Sequence, residues 1–143
     1  MTKDQLIIEL NKRAPIVNLG TSADAPSEDC ISAAEQRLGV RLPEEYKWFL
    51  RTFGGGEICG EEIYSIYGLP FEEGVGGDVV HRNTIASDNA YMGKIALSNT
   101  DFGEEFFFKI NHIGPVFLAV GDSVDLYATC FVDYLYKRLM AYV

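Results

Sequence analysis

Cysteine is scarce in this chain and poorly placed for pairing. The three thiols, Cys30, Cys59 and Cys130, are odd in number, far apart, and form no CxxC pair. That excludes the ligand spacing of a zinc ribbon and the dense framework of a small secreted domain. Free, mostly buried thiols in a reducing compartment are expected. Histidine is as rare: only His81 and His112 occur, no G-x-S-x-G is present, and neither imidazole sits in a local signature of nucleophilic catalysis. Metal ligands do not converge in the sequence, and no metal or cofactor is expected. Long apolar runs are missing too, none approaching the ~20 residues of a membrane span. The opening MTKDQLIIELNKR mixes charge with apolar residues and lacks the apolar core of a signal peptide. A soluble, cytoplasmic protein is expected.

Phosphate-binding loops are absent in context. Gly54–Gly56 follows a helical pattern, and Gly74-Val-Gly-Gly77 lacks a following Lys-Ser/Thr. Asp101-Phe-Gly103 spells the magnesium tripeptide of kinases without a catalytic loop or strand lysine, so it is expected to be a turn.

What is present is a globular composition. The 143 residues are 48% hydrophobic and 23% charged, too apolar for disorder. A chain of this size buries roughly 68–70% of its unfolded surface, so one domain over residues 1–143 is expected. The net charge of −9 is unevenly spread: residues 1–51 carry −1 and residues 52–143 carry −8. Between Thr52 and His81 no Lys or Arg occurs, against six acids: Glu57, Glu61, Glu62, Glu72, Glu73 and Asp78. Such a chain repels nucleic-acid phosphates and anionic membranes and attracts basic partners. Tyr64, Tyr67 and Phe71 lie among these acids, and aromatic anchors beside charges are the material of protein interfaces. The candidate partner-binding residues are therefore Glu57, Glu61, Glu62, Tyr64, Tyr67, Glu72, Glu73 and Asp78, joined later in the chain by Asp101, Glu104 and Glu105. In extended chain the neighbours Glu61 and Glu62 point to opposite faces, so the doublet is no catalytic dyad.

Local patterns order the elements. Thr2 and Gln5 form a capping box before a helix over 3–13. Residues 18–26 read as a loop. Ser27, with Glu28 and Asp29 behind it, opens a second helix that Gly39 stops. Pro43 opens a third at its first position, with Tyr46, Phe49, Leu50 and Phe53 on one face, while Trp48 points off it, to pack on a neighbour or to bind. Strand patterns follow in 57–69, 94–98, 106–110 and 114–120, with a short helix within 78–91. Thr129 caps a last helix bearing Phe131, Leu135 and Leu139. Helices, then strands, then a helix argue an α+β fold with a mainly antiparallel sheet.

Three segments carry a family resemblance. Ile31-Ser-Ala-Ala-Glu-Gln-Arg-Leu-Gly39, Leu42-Pro-Glu-Glu-Tyr-Lys-Trp-Phe-Leu50 and Phe53-Gly-Gly-Gly-Glu-Ile58 together resemble the SUKH superfamily. Glu35, Leu38, Gly39, Leu42, Pro43, Tyr46, Phe49, Leu50, Gly55 and Gly56 match its pattern. Phe53-Gly54 stands where the family usually has Asn. With Trp48, the chain looks most like the single-domain antitoxins of Bacillus-type bacteria. The resemblance implies an α+β fold, no catalysis, and an immunity protein that neutralises a cognate toxin, often a nuclease, by non-covalent binding. The alternative it implies is an intracellular regulator or scaffold of the cell-wall-synthesis-regulator type. A monomer or weak homodimer is expected. A basic nuclease surface and an acidic binder suit each other by charge.

Overall fold

A computed structural model describes residues 1–142. Helix α1, Lys3–Lys12, begins at the anticipated capping box: Thr2 Oγ1 accepts from the Gln5 N–H at 3.1 Å, and Gln5 Oε1 accepts from the Thr2 N–H at 2.8 Å. Its Leu6 and Leu10 are buried. Helix α2, Glu28–Leu38, is capped by Ser27 Oγ, which accepts from Cys30 N–H at 3.1 Å. It ends at Gly39, whose φ of 74° is left-handed. Helix α3, Glu44–Phe53, starts one residue later than expected, with Pro43 as its N-cap. Tyr46, Phe49 and Leu50 are fully buried, and Phe53 is half-buried at the margin. Glu35 fastens α2 to the start of α3. Its carboxylate accepts from the Leu42 N–H at 2.7 Å and from Lys47 Nζ at 3.4 Å. Trp48 is half-buried, edge-on to Phe53 at 5.8 Å and beneath Lys3 of α1.

Two antiparallel sheets follow. The first orders β1 (Val17–Leu19), β2 (Gly56–Ile58) and β3 (Glu61–Ile63). Part of the expected 18–26 loop is thus strand, followed by a 3-10 turn over Ser22–Asp24. Strand β1 reaches this position because Gly56 lacks a side chain: a Cβ there would stand 2.3 Å from the Asn18 carbonyl oxygen. The second sheet is a meander of β4 (Lys94–Asn99), β5 (Glu104–Lys109), β6 (His112–Val120) and β7 (Ser123–Ala128). Strand β7 is not anticipated by the sequence reading. The sheets meet where the Tyr64 N–H donates to the Leu97 carbonyl at 2.7 Å and Ser98 Oγ to the Glu62 carbonyl at 2.7 Å.

The helix expected within 78–91 is one π-helical turn, His81–Ile85. It is pinned by Asn83, whose buried amide donates to the Ala96 carbonyl at 3.1 Å and accepts from its N–H at 2.7 Å. The outer edge of β4 is satisfied in this way. Helix α4, Phe131–Met140, takes Cys130 rather than Thr129 as its N-cap, without a side-chain cap bond. Glu45 of α3 supplies an acceptor instead, 2.9 Å from the Val132 N–H.

The core lies between the second sheet and helices α3 and α4. Tyr46 and Phe49 of α3 meet Phe131 of α4 at 5.1 and 5.5 Å, and Tyr46 meets Phe108 of β5 at 5.8 Å. The Tyr46 hydroxyl donates to the Tyr64 carbonyl at 2.7 Å, so this aromatic is anchored at its polar end. The α+β architecture is as the element order implies: N-terminal helices, antiparallel sheets, C-terminal helix. Among the thiols Cys30 is buried and Cys130 half-buried, but Cys59 is exposed. It occupies the β2–β3 turn at φ 51°, where hairpin geometry demands a left-handed residue.

Candidate partner-binding cleft

The β2–β3 hairpin turns through Cys59 and Gly60, both at positive φ, and faces the β4–β5 turn. Between them lies a cleft of about 500 Å³ lined by Glu57, Glu61, Glu62, Asp101, Phe102 and Tyr142, among others. Four of the sequence-predicted acids, Glu57, Glu61, Glu62 and Asp101, are therefore brought together. A second groove of about 590 Å³ runs over the Gly54–Gly56 turn and shares Glu62, next to Tyr67.

The hairpin register decides what each acid does. Ile58 lies opposite Glu61, and Glu57 opposite Glu62. Cross-strand partners share a face, so Glu61 joins the buried Ile58 on the core side while Glu57 and Glu62 face outward. Glu61 is clamped by Arg138 of α4. The guanidinium reaches Oε1 at 2.8 Å and Oε2 at 2.9 Å, with Nε at 3.2 Å, and lies 4.6 Å over the Phe106 ring. Burial works against the charge of Arg138, but the Tyr127 hydroxyl and the Glu61 carboxylate outweigh it and hold its pKa above the ordinary value. The Tyr142 hydroxyl also donates to Glu61, and that hydrogen bond raises the Tyr142 pKa. Glu61 thus forms the floor of the cleft, already neutralised.

Glu57 and Glu62 are different. They are like charges directly opposed across a strand pair, and among the described residues neither has a cation within 4.0 Å; nor does Asp101. Glu62 accepts from the Tyr67 hydroxyl. Burial first, and this bond second, push the Tyr67 pKa up to about 12.

The remaining candidates do not line the cleft. Asp78 has no exposed surface: its Oδ1 accepts from the Val80 and His81 N–H groups at 2.9 and 3.1 Å, holding the start of the π-helical turn. Tyr64 is 4% exposed, with its hydroxyl between Arg82 and Asn99 at 2.6 and 3.1 Å. Neither has surface to offer a partner, which corrects their assignment as binding residues. Glu72 and Glu73 stand on a 3-10 turn, Phe71–Glu73, with Glu72 paired to Arg37 at 2.8 Å. Glu104 accepts from Thr100 Oγ1 at 3.1 Å, and Glu105 pairs with Lys94.

The sequence reading missed Phe102, Tyr142 and Arg138. Phe102 is 76% exposed beside the acids. An aromatic in a turn between two strand patterns was the signal available. Arg138 had none, because it lies 77 residues from Glu61. Among the described residues no three His, Cys, Asp or Glu side chains come together in a way that could hold a metal ion. Among the described residues no helix is long and apolar enough to cross a membrane.

Comparison with protein families matches residues 25–137, from the turn before α2 into α4, to the SMI1 / KNR4 family (SUKH-1). The chain belongs to this family. SUKH proteins are generally non-enzymatic immunity or regulatory proteins, typically immunity proteins against polymorphic toxins. A comparison with curated proteins returned no match. In this SUKH-1 chain the family-like residues serve the scaffold. Glu35 bonds the start of α3, Tyr46 and Phe49 fill the core, and Gly55 and Gly56 stand where a Cβ would meet Ser65 or Asn18. The cleft is built on that scaffold from residues outside the pattern.

Proposed function

We propose that this SUKH-1 protein is an immunity protein that neutralises a cognate toxin by inserting basic side chains of the toxin, a nuclease, into the cleft between the β2–β3 hairpin and the β4–β5 turn. The observation that carries this is the opposed pair Glu57 and Glu62, without a cation within 4.0 Å among the described residues and adjoining Asp101. Like charges across a strand pair cost stability in the free protein. An Arg or Lys from a partner relieves that repulsion and gains a charge-assisted hydrogen bond. Phe102, exposed at the rim, supplies the apolar contact that charges alone lack. A nuclease must present cations to phosphates, and masking those cations blocks it without any catalysis by the binder.

The test uses the cognate toxin domain, sought first among the products of the neighbouring genes. Glu57→Lys with Asp101→Lys slows association by at least about tenfold at low salt, and the difference shrinks as salt screens it. The same double variant fails to protect cells expressing the toxin. The control is Asp4→Lys with Asp29→Lys, two exposed acids of α1 and α2 without an ion pair among the described residues. If the control slows binding as much, net charge is responsible and the cleft is not the site.

A further inference from the structure

Strand β7 is the last strand of its sheet, and nothing among the described residues pairs with its outer edge. Residues Ser123–Leu126 are all exposed, with Val124 at 51% and Leu126 at 56%. Natural sheet edges are usually blunted by Lys, Pro or a covering segment. At the other end of the sheet Asn83 and Tyr64 do this for β4. Ser123–Ala128 contains neither Lys nor Pro.

The direction of its backbone groups follows from the hairpin. Gly121 and Asp122 form a two-residue turn, and Val120 faces Ser123 across it. Residues flanking such a turn form a hydrogen-bonded pair, and the bonding direction alternates along an antiparallel ladder. Ser123 and Asp125 therefore bond toward β6, while Val124 and Leu126 turn their N–H and C=O groups outward.

We propose that this edge pairs with the same edge of a second copy, antiparallel, with Val124 opposite Val124 of that copy, so that one eight-stranded sheet crosses a two-fold axis. An isologous contact of this kind must be self-complementary, and the register is constrained. A centre on Asp125 would oppose two carboxylates, and like charges directly opposite are destabilising. A centre on Leu126 would run the incoming strand onto Tyr127, whose carbonyl is already taken by Lys137 Nζ at 2.7 Å. A centre on Val124 avoids both. It sets Asp125 against Ser123 of the second copy and brings Lys137, which covers the Tyr127 ring at 4.1 Å, beside Asp122 of the second copy. Within one chain neither Lys137 nor Asp122 has an ion-pair partner among the described residues. The contact thus matches a cation to an acid at both ends, on a chain whose net charge of −9 otherwise repels its copies. The edge is separate from the acid-lined cleft, so this inference stands or falls independently of the proposed toxin site.

Sedimentation across a concentration series tests it with the full chain. A reversible monomer–dimer equilibrium is expected. Val124→Pro removes the central outward N–H without touching the ladder to β6, so the monomer stays folded by circular dichroism while the dimer dissociation constant rises at least about tenfold. Asp122→Lys weakens the dimer, and adding Lys137→Asp restores it. A monomer at every concentration overturns the proposal, as does a dimer indifferent to these changes. A monomer whose Val124→Pro variant loses its hold on the toxin domain also overturns it, and assigns the edge to a foreign strand.

Discussion

Arg138→Met tests whether Glu61 belongs to the scaffold or to the binding surface. The Arg138 and Glu61 side chains are 6% and 11% exposed, and the carboxylate accepts from two of the three guanidinium nitrogens, Nε and Nη2, within 3.2 Å. Removing the cation leaves a carboxylate on the core face of β3 with Tyr142 as its remaining side-chain donor. Breaking a buried pair on one side costs about 3–5 kcal/mol, because the survivor is an uncompensated charge. Against a total stability of about 5–15 kcal/mol the variant is marginal. Methionine keeps much of the apolar contact that the arginine stem makes over Phe106, so the loss reports charge more than packing. Glu61→Leu in the same background removes the orphaned charge, and replacement of both partners by apolar groups is often neutral. The double variant should therefore recover at least about half of the loss. Urea unfolding followed by circular dichroism gives both numbers at constant m-value. If Arg138→Met costs under about 1 kcal/mol and the second change restores nothing, the pair is screened by water. Glu61 then returns to the acids available to a partner.

Two further outcomes follow from the core and the tyrosines. Phe49→Ala should cost about 3–5 kcal/mol in urea unfolding, since it opens a cavity among Tyr46, Phe53 and Phe131; a loss below about 1 kcal/mol would mean that the face of α3 is not packed as described. Burial raises the pKa of Tyr46 and Tyr134 above the ordinary value, and burial plus Glu62 raises Tyr67 to about 12. A folded pKa above the unfolded one means that the stabilisation is full below about pH 10 and lost as pH rises through the folded value. Ultraviolet titration should show Tyr46 and Tyr134 ionising only with loss of structure, whereas the half-exposed Tyr67 ionises near pH 12, and Tyr67→Phe should flatten the stability loss between about pH 10 and 12. A smooth titration of all eight tyrosines in the folded protein would contradict the burial.

Local chemistry was legible in the sequence. The Thr2 capping box, the Ser27 cap, the Gly39 stop and the aromatic face of α3 involve partners within a few residues of one another, so spacing alone specifies them. The α+β class followed from the order of such elements. The opposite facing of Glu61 and Glu62 followed from the period of a strand. What needed tertiary structure were relations between distant residues. The base-free window from Thr52 to His81 is a property of the chain, and folding fills part of it from elsewhere: Arg37 reaches Glu72, and Arg138, from α4, reaches Glu61. Tyr64 and Asp78 looked like surface because they lie among acids, yet the meeting of the two sheets and the π-helical turn bury them. Asp101 and Phe102 joined Glu57 and Glu62 only because the β4–β5 turn closes over the β2–β3 hairpin. Charge sequence fixes how many acids exist; only the fold, by bringing cations to some and withholding them from others, decides which remain for a partner.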